Sequence, residues 1–273
     1  LKDRMDSDRR CYAFFHPAME SELLIFVEVA LVKGLADNVH ALLDEKAPVM
    51  DPAQADTAIF YSISNCQRGL SGISFGNFLI KQVVDRLSAE FRNLKTFATL
   101  SPIPGFRRWL EEMVASKDAL LTDDEAEALA EALGPAEPGD ERPALARLLA
   151  RRGWNDEAAL AEAARPVLTR LCARYLLAEN DARGRARDPV AHFHLTNGAR
   201  AERLNWLADT SDKGLKESAG LMMNYLYDRE AIEANHEAYV GRGKRAASTA
   251  LKRLARGWVC TSRGTAHGGR AAH

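Results

Sequence analysis

The sequence predicts an α/β (α+β) fold interrupted by an all-helical insertion at about residues 106–180, and three observations carry that reading. First, residues 60–91 read as a strand, a glycine-rich turn and a helix. Second, several further short runs are rich in β-branched and aromatic residues, as buried strands are. Third, between Phe106 and about Glu179 the pattern changes to Ala, Glu and Arg with helix caps and no strand signal.

Residues 10–16 form an aromatic run stopped by Pro17, and residues 23–32 form a second, largely buried strand broken by Gly34. Residues 36–45 look helical, with Val39, Leu42 and Leu43 on one face and His40 at an edge. The strand at residues 58–64 feeds the loop holding Gly69, Gly72 and Gly76. Asn77 suits an N-cap. Ile80, Val83, Val84, Leu87 and Phe91 then make one apolar stripe. Glycines admit close backbone approach, and free amides at a helix start favour anionic oxygen, so the stretch reads as a phosphate cradle or as a plain tight connection. It is neither a Walker loop nor the dinucleotide Gly-x-Gly-x-x-Gly pattern.

Residues 95–101 read as a strand halted by Pro102, which fixes Ser101 at the strand end. Within the insertion, Thr122-Asp-Asp-Glu125 is a capping box for a helix ending at Gly134, and residues 144–152 form a short helix closed by Gly153. Pro166 suits the first turn of a helix running to about Ala178. Residues 189–195 read as a strand, whose period of two puts His192 and His194 on one face. Two such histidines can start a metal site, but no Cys, Asp or Glu stands nearby at ligand spacing, and no metal is expected. Asn197-Gly198 signals a turn, residues 199–208 a helix, and residues 218–227 a last strand with Tyr225 and Tyr227 on one face and Met222 and Met223 as core filler. The rest, residues 241–273, reads as a basic helix and a disordered tail outside a catalytic domain of residues 1–240.

Composition narrows the function. The 273 residues carry a formal charge of −1, so neither nucleic acid nor an anionic membrane is an expected partner. No apolar run approaches the ~20 residues of a membrane span. Cys11, Cys66, Cys172 and Cys260 are scattered and fit a reducing compartment. Position 1 is Leu, and the expectation is a piece of a longer protein.

Several stretches together resemble one family. The loop resembles the Arg/Gln-Gly-x-x-Gly-x-x-x-Gly turn of the GNAT acetyltransferase superfamily. Arg-Arg-Cys-Tyr-Ala-Phe-Phe-His, Phe-Tyr-Ser-Ile-Ser, Gly-Ile-Ser-Phe-Gly-Asn-Phe-Leu-Ile-Lys, Leu-Ser-Pro-Ile-Pro-Gly-Phe, His-Phe-His-Leu-Thr-Asn-Gly-Ala and Gly-Leu-Met-Met-Asn-Tyr-Leu-Tyr look like malonyl-CoA decarboxylase. They stand in that family's order over most of residues 9–230. The resemblance implies a GNAT-like mixed central sheet flanked by helices. It also implies conversion of malonyl-CoA to acetyl-CoA and carbon dioxide with no metal or organic cofactor, coenzyme A being part of the substrate.

Carried over position by position, the resemblance makes Ser101 and His194 a catalytic dyad, with the imidazole expected to be poised near neutral pH. Ser62, Tyr227, Asn197 and Ser74 become substrate contacts. Some members carry a glutamate where this chain has Ser74. The loop residues Gln67, Arg68, Gly69, Leu70, Ser71, Gly72 and Gly76 would hold the coenzyme A pyrophosphate. Ser62, Ser101, His194 and Tyr227 are expected to converge on neighbouring strands. The resemblance leads one to expect a piece without the family's N-terminal helical domain, which contributes to oligomer contacts, and without the Ser-Lys-Leu ending of some members. A cytoplasmic protein, homo-oligomeric when full length, is the expectation. The alternatives are a GNAT-type acyl-CoA acyltransferase and a non-catalytic acyl-CoA-binding protein, which carbon dioxide release would separate from a decarboxylase.

Overall fold

A computed structural model of the chain describes residues 6–16, 19–65, 76–116 and 120–256. Strands β1 (Arg9–His16), β2 (Met19–Val32), β3 (Thr57–Asn65), β4 (Thr96–Thr99), β5 (Ser101–Pro102), β6 (Arg200–Asn205) and β7 (Met222–Leu226) form one sheet. Its order is β1-β2-β3-β4-β7-β5, with β6 paired to β7. β3 and β4 are parallel, and the other pairs are antiparallel. The sheet is therefore mixed and flanked by helices, as the sequence leads one to expect. Parallel neighbours need a crossover, and α2 (Gly76–Glu90) supplies it between β3 and β4.

Alternation along the strands makes two faces. Val27, Val29, Leu31, Phe60, Phe97, Met223, Tyr225 and Tyr227 pack on one side, with Ile80, Val83, Val84 and Leu87 of α2 covering it. Ala30, Ile59, Ala98, Leu100 and Met222 line the other, thinner side with Leu42 of α1 (Val39–Leu42). α1 is one turn long, shorter than its sequence pattern. Gly76 opens α2, one residue before the expected cap at Asn77.

The insertion is helical throughout its described residues: α3 (Phe106–Ala115), α4 (Asp123–Leu133), α5 (Ala144–Ala150) and α6 (Ala158–Ala178). Thr122 and Glu125 form the expected capping box. Glu125 also takes a two-toothed ion pair from Arg170 of α6, at 2.7 and 2.6 Å, tying α4 to α6. Pro166 does not open α6 but lies inside it. Burial of Leu160, Ala161 and Ala164 anchors the turns before the proline, and this packing outweighs the one hydrogen bond that the ring removes.

Three elements differ from the sequence reading. Residues 189–196 form a helix, α7 (Pro189–Thr196), not a strand. Asp188 caps it by accepting from Val190 N and Ala191 N at 3.0 and 2.9 Å, and Pro189 presets its first turn. His192 and His194, two apart on a helix, therefore point about 200° apart and cannot form the metal pair that a strand would allow. Residues 200–205 are β6 rather than a helix, because pairing with β7 overrides local propensity. The last strand is shortened from residues 218–227 to β7, because Ser218 closes a helix, α8 (Asp212–Ser218), capped by Ser211.

α9 (Ile232–Arg242) packs on α7, and α10 (Thr249–Arg256) packs on α6 and β6, where Leu251 is buried. The tail after Arg256 lies outside the described residues. The α7–β6 corner turns on Gly198, which has φ +76°; a Cβ there would stand 2.1 Å from the Ile232 carbonyl oxygen of α9. Gly198→Ala should therefore lower stability by about 2–4 kcal/mol, read as a lower urea midpoint at unchanged slope. An unchanged midpoint would contradict the close α7–α9 approach.

Candidate active site

β5 places Ser101 at the point where the strand after β4 breaks off at Pro102. α7 places His194 on the sheet face presented by Tyr225 of β7 and by Tyr227, the residue after that strand. Ser101 Oγ lies 2.9 Å from His194 Nε2, and the Tyr227 hydroxyl lies 2.8 Å from His194 Nδ1. Ser101, His194 and Tyr227 are 5 %, 3 % and 2 % exposed, so all three polar groups are held inside the fold. Tyr225 stacks on the imidazole with ring centroids 4.4 Å apart, and Phe193 and Tyr227 meet it edge-on.

Burial decides the charge of this ring. Desolvation holds the His194 pKa down to about 3, so the imidazole is neutral throughout the physiological range. That corrects the expectation of an imidazole poised near neutral pH: the aromatic walls leave the cation no solvation. Burial likewise raises Tyr225 and Tyr227 well above an ordinary phenol, keeping both hydroxyls protonated. A neutral imidazole with a partner on each nitrogen can take a proton on one side while giving one on the other.

Asp188 fixes the two halves of the site relative to each other. One carboxylate oxygen caps α7; the other accepts from Gly105 N at 3.2 Å and from the Tyr175 hydroxyl at 3.4 Å. Gly105 ends the Ser-Pro-Ile-Pro-Gly turn that begins at Ser101, and Tyr175 belongs to α6 of the insertion. A Cβ at residue 105 would stand 2.2 Å from the Tyr175 oxygen, which is why a glycine ends that turn. Burial pushes the Asp188 pKa up, opposed by the amides of Ala191, Gly105 and Val190.

The other expected site residues fall elsewhere. In the β2–β3 register Glu28 faces Ser62, while Val29 faces Phe60 and Val27 faces Ile63 across a bulge. Phe60 packs on Tyr227 and Ile63 lies against the same core, so Ser62 takes the opposite face, with Glu28, away from Ser101 and His194. Asn197 ends α7, 2 % exposed, and its side-chain oxygen has no hydrogen-bond partner among the described residues. Gln67, Arg68, Gly69, Leu70, Ser71, Gly72 and Ser74 lie outside the described residues, and Gly76 opens α2. Sequence reasoning passed over Thr99, Tyr225 and Asp188 as site residues. Thr99 stands two residues before Ser101 and shares its strand face, and Asp188-Pro189 is a helix-start signature; both signals were available.

The family model for the malonyl-CoA decarboxylase C-terminal domain matches residues 1–263. The mitochondrial malonyl-CoA decarboxylase of Rattus norvegicus is 41% identical over 249 residues, 88% of this chain and 50% of that protein. The mouse protein of the same name is 40% identical over the same shares. The chain thus spans about half the length of the curated relatives it matches. Among solved structures, malonyl-CoA decarboxylase from Rhodopseudomonas palustris is 47% identical with a TM-score of 0.80, over 90% of this chain and 53% of that one. The structure from Agrobacterium vitis is 46% identical with a TM-score of 0.81, over 93% and 59%.

The buried imidazole carries its own test. The folded pKa of His194 lies below the ~6.5 of a free imidazole. Its contribution to stability is therefore complete above pH ~6.5 and is lost as the pH falls toward 3. Side-chain ¹⁵N NMR should show no titration of His194 between about pH 5 and 8, with urea stability falling only on the acid side. A His194 that titrates near 6.5 would contradict the closed, dry site.

Proposed function

The chain belongs to the malonyl-CoA decarboxylase family, and from that premise we propose that it converts malonyl-CoA to acetyl-CoA and carbon dioxide at Ser101 and His194. The observation that carries the proposal is the buried chain from Ser101 Oγ through both imidazole nitrogens to the Tyr227 hydroxyl. The family membership supports an acyl-CoA substrate, and the geometry supplies groups suited to its chemistry.

The malonyl C–C bond to the carboxylate breaks, and its electron pair moves onto the thioester as an enolate while carbon dioxide leaves. The thioester is itself the electron sink, which supports a reaction without metal or organic cofactor. The enolate carbon must then gain one proton, and solvent makes up that proton in the net reaction. Ser101 gives its hydroxyl proton to the carbon, and its oxygen regains one from His194 Nε2–H. The Tyr227 hydroxyl passes its proton to Nδ1 as Nε2–H leaves, so the ring stays neutral, and once the products depart solvent returns one proton at the Ser101 end, which runs the chain back to its starting order. The dry aromatic surroundings also disfavour the carboxylate relative to neutral carbon dioxide.

The pyrophosphate of coenzyme A is proposed to lie on Gln67, Arg68, Gly69, Leu70, Ser71, Gly72 and Gly76. The first amides of the 15-residue helix α2, which follows that loop, have no partner within the helix itself, and this supports the reading. Tyr227, Asn197 and Ser74 remain proposed substrate contacts, with Tyr227 the one whose geometry links it to the dyad. Free thiols at Cys11 and Cys172 support a reducing compartment such as the cytoplasm, and no helix among the described residues is long and apolar enough to cross a membrane. A homo-oligomer is proposed for the full-length protein on the family resemblance.

The full-length protein incubated with malonyl-CoA should release carbon dioxide and acetyl-CoA in equal amounts. Ser101→Ala and His194→Ala should each lower kcat by about 10²–10⁴-fold with KM little changed. Binding of acyl-CoA with no carbon dioxide released would mark a non-catalytic binding protein and overturn the proposal.

A further inference from the structure

β4 and its continuation put Thr99 and Ser101 on one face, with Leu100 on the other. Thr99 is fully buried, and its hydroxyl oxygen lies 2.8 Å from Ser101 Oγ as the acceptor of the serine proton. β7 fixes that oxygen in place. Tyr225 N–H donates to it at 3.2 Å, and Asn224 Nδ2 donates to the Thr99 carbonyl at 2.8 Å. Asn224 is itself locked, since its Oδ1 accepts from Asn205 Nδ2 and Arg203 Nε and its Nδ2 also reaches the Ala36 carbonyl. A β-branched side chain tied at this many points does not swing away.

Counting hydrogens along the chain leaves two orders of donation, and the hydrogen bond from Ser101 to Thr99 selects one of them. Ser101 has one hydroxyl proton and two neighbours, Thr99 Oγ1 and His194 Nε2. Whichever neighbour does not receive that proton must donate to the serine oxygen. If Thr99 receives it, Nε2 must carry the imidazole hydrogen, and Nδ1 is then free to accept from the Tyr227 hydroxyl. If instead the serine proton turns to Nε2, the ring hydrogen moves to Nδ1 and the order of donation reverses along the whole chain.

We propose that Thr99 is a positioning residue that holds the Ser101 proton and thereby keeps His194 in its Nε2–H tautomer. This rests on the decarboxylase reading for its purpose, and on the hydrogen-bond geometry alone for the tautomer. Thr99 keeps the serine proton available until the substrate carbon replaces it as acceptor, and Nε2–H stands ready to refill the serine oxygen. Without the Thr99 hydroxyl, Ser101 O–H turns to the imidazole and is directed away from the substrate.

Side-chain ¹⁵N NMR of histidine-labelled protein reads the tautomer directly, beside steady-state kinetics with malonyl-CoA. The wild type and Thr99→Ser should show protonated Nε2 and bare Nδ1. Thr99→Val should show the reverse, with kcat lower by about a hundredfold and KM within about twofold. Thr99→Ser should restore most of the rate. Thr99→Ala, which removes the hydroxyl without a new methyl contact, serves if Thr99→Val does not fold. A hydroxyl-less variant that keeps the Nε2–H tautomer would overturn the proposal, as would a Thr99→Ser variant as slow as Thr99→Val. A wild type that releases no carbon dioxide would remove the decarboxylase reading, while the tautomer measurement would still decide the role of Thr99.

Discussion

An imidazole shut away from water against Tyr225 and Tyr227 is tolerable only if it is neutral and both ring nitrogens are paired. That requirement organises the centre of this fold. The residue after β7 delivers the phenol for Nδ1, and the break between β4 and β5 delivers the serine for Nε2. The helix α7 delivers the ring itself, on a stretch whose Phe-His-Leu pattern would otherwise suit a strand. A gap of about an ångström at either nitrogen would leave a buried polar atom unsatisfied, at a cost of about 1–3 kcal/mol.

The distance between β5 and α7 is therefore under control, and Asp188 exerts it from the start of α7. Its carboxylate gathers the first amides of that helix, the amide that ends the Ser101 turn, and a hydroxyl from α6. The helical insertion thereby acquires a structural purpose that its composition does not advertise. Tyr175 sits with Phe106 and Trp109 in an aromatic cluster and presses on Gly105, so the insertion braces the turn that carries the serine. The Arg170–Glu125 pair, nearly buried, keeps the bracing helices in register.

Much of this was legible in the sequence. The apolar stripe of α2, the capping box at Thr122, the glycine stop at Gly134, and the buried strands β2 and β3 all follow from local rules, because local chemistry and tertiary packing agree there. The motif residues Ser101, His194 and Tyr227 do meet. The misread segments are those where two local signals compete. Residues 189–195 alternate like a strand, yet Asp188-Pro189 is a helix start, and the cap prevails because it is also a long-range clamp. Residues 200–205 have helical composition, yet they supply the partner that β7 needs on its free side. Ser62 fell on the wrong face because a bulge adds one residue to β3, and a bulge leaves no mark in an alternation pattern. The pKa of His194 was misjudged for a related reason: the rings that exclude water come from β7 and α7, distant in sequence from β5.

The central claim is that Ser101 and His194 act as one unit. A double-mutant cycle on kcat for malonyl-CoA decarboxylation tests it most directly, using Ser101→Ala, His194→Ala and the pair together. Groups that pass one proton along one path lose the same function whichever is removed. The account predicts that the double variant is no more than about threefold slower than the slower single variant. Losses that multiply across the two substitutions would contradict it, and would mean that serine and histidine work independently.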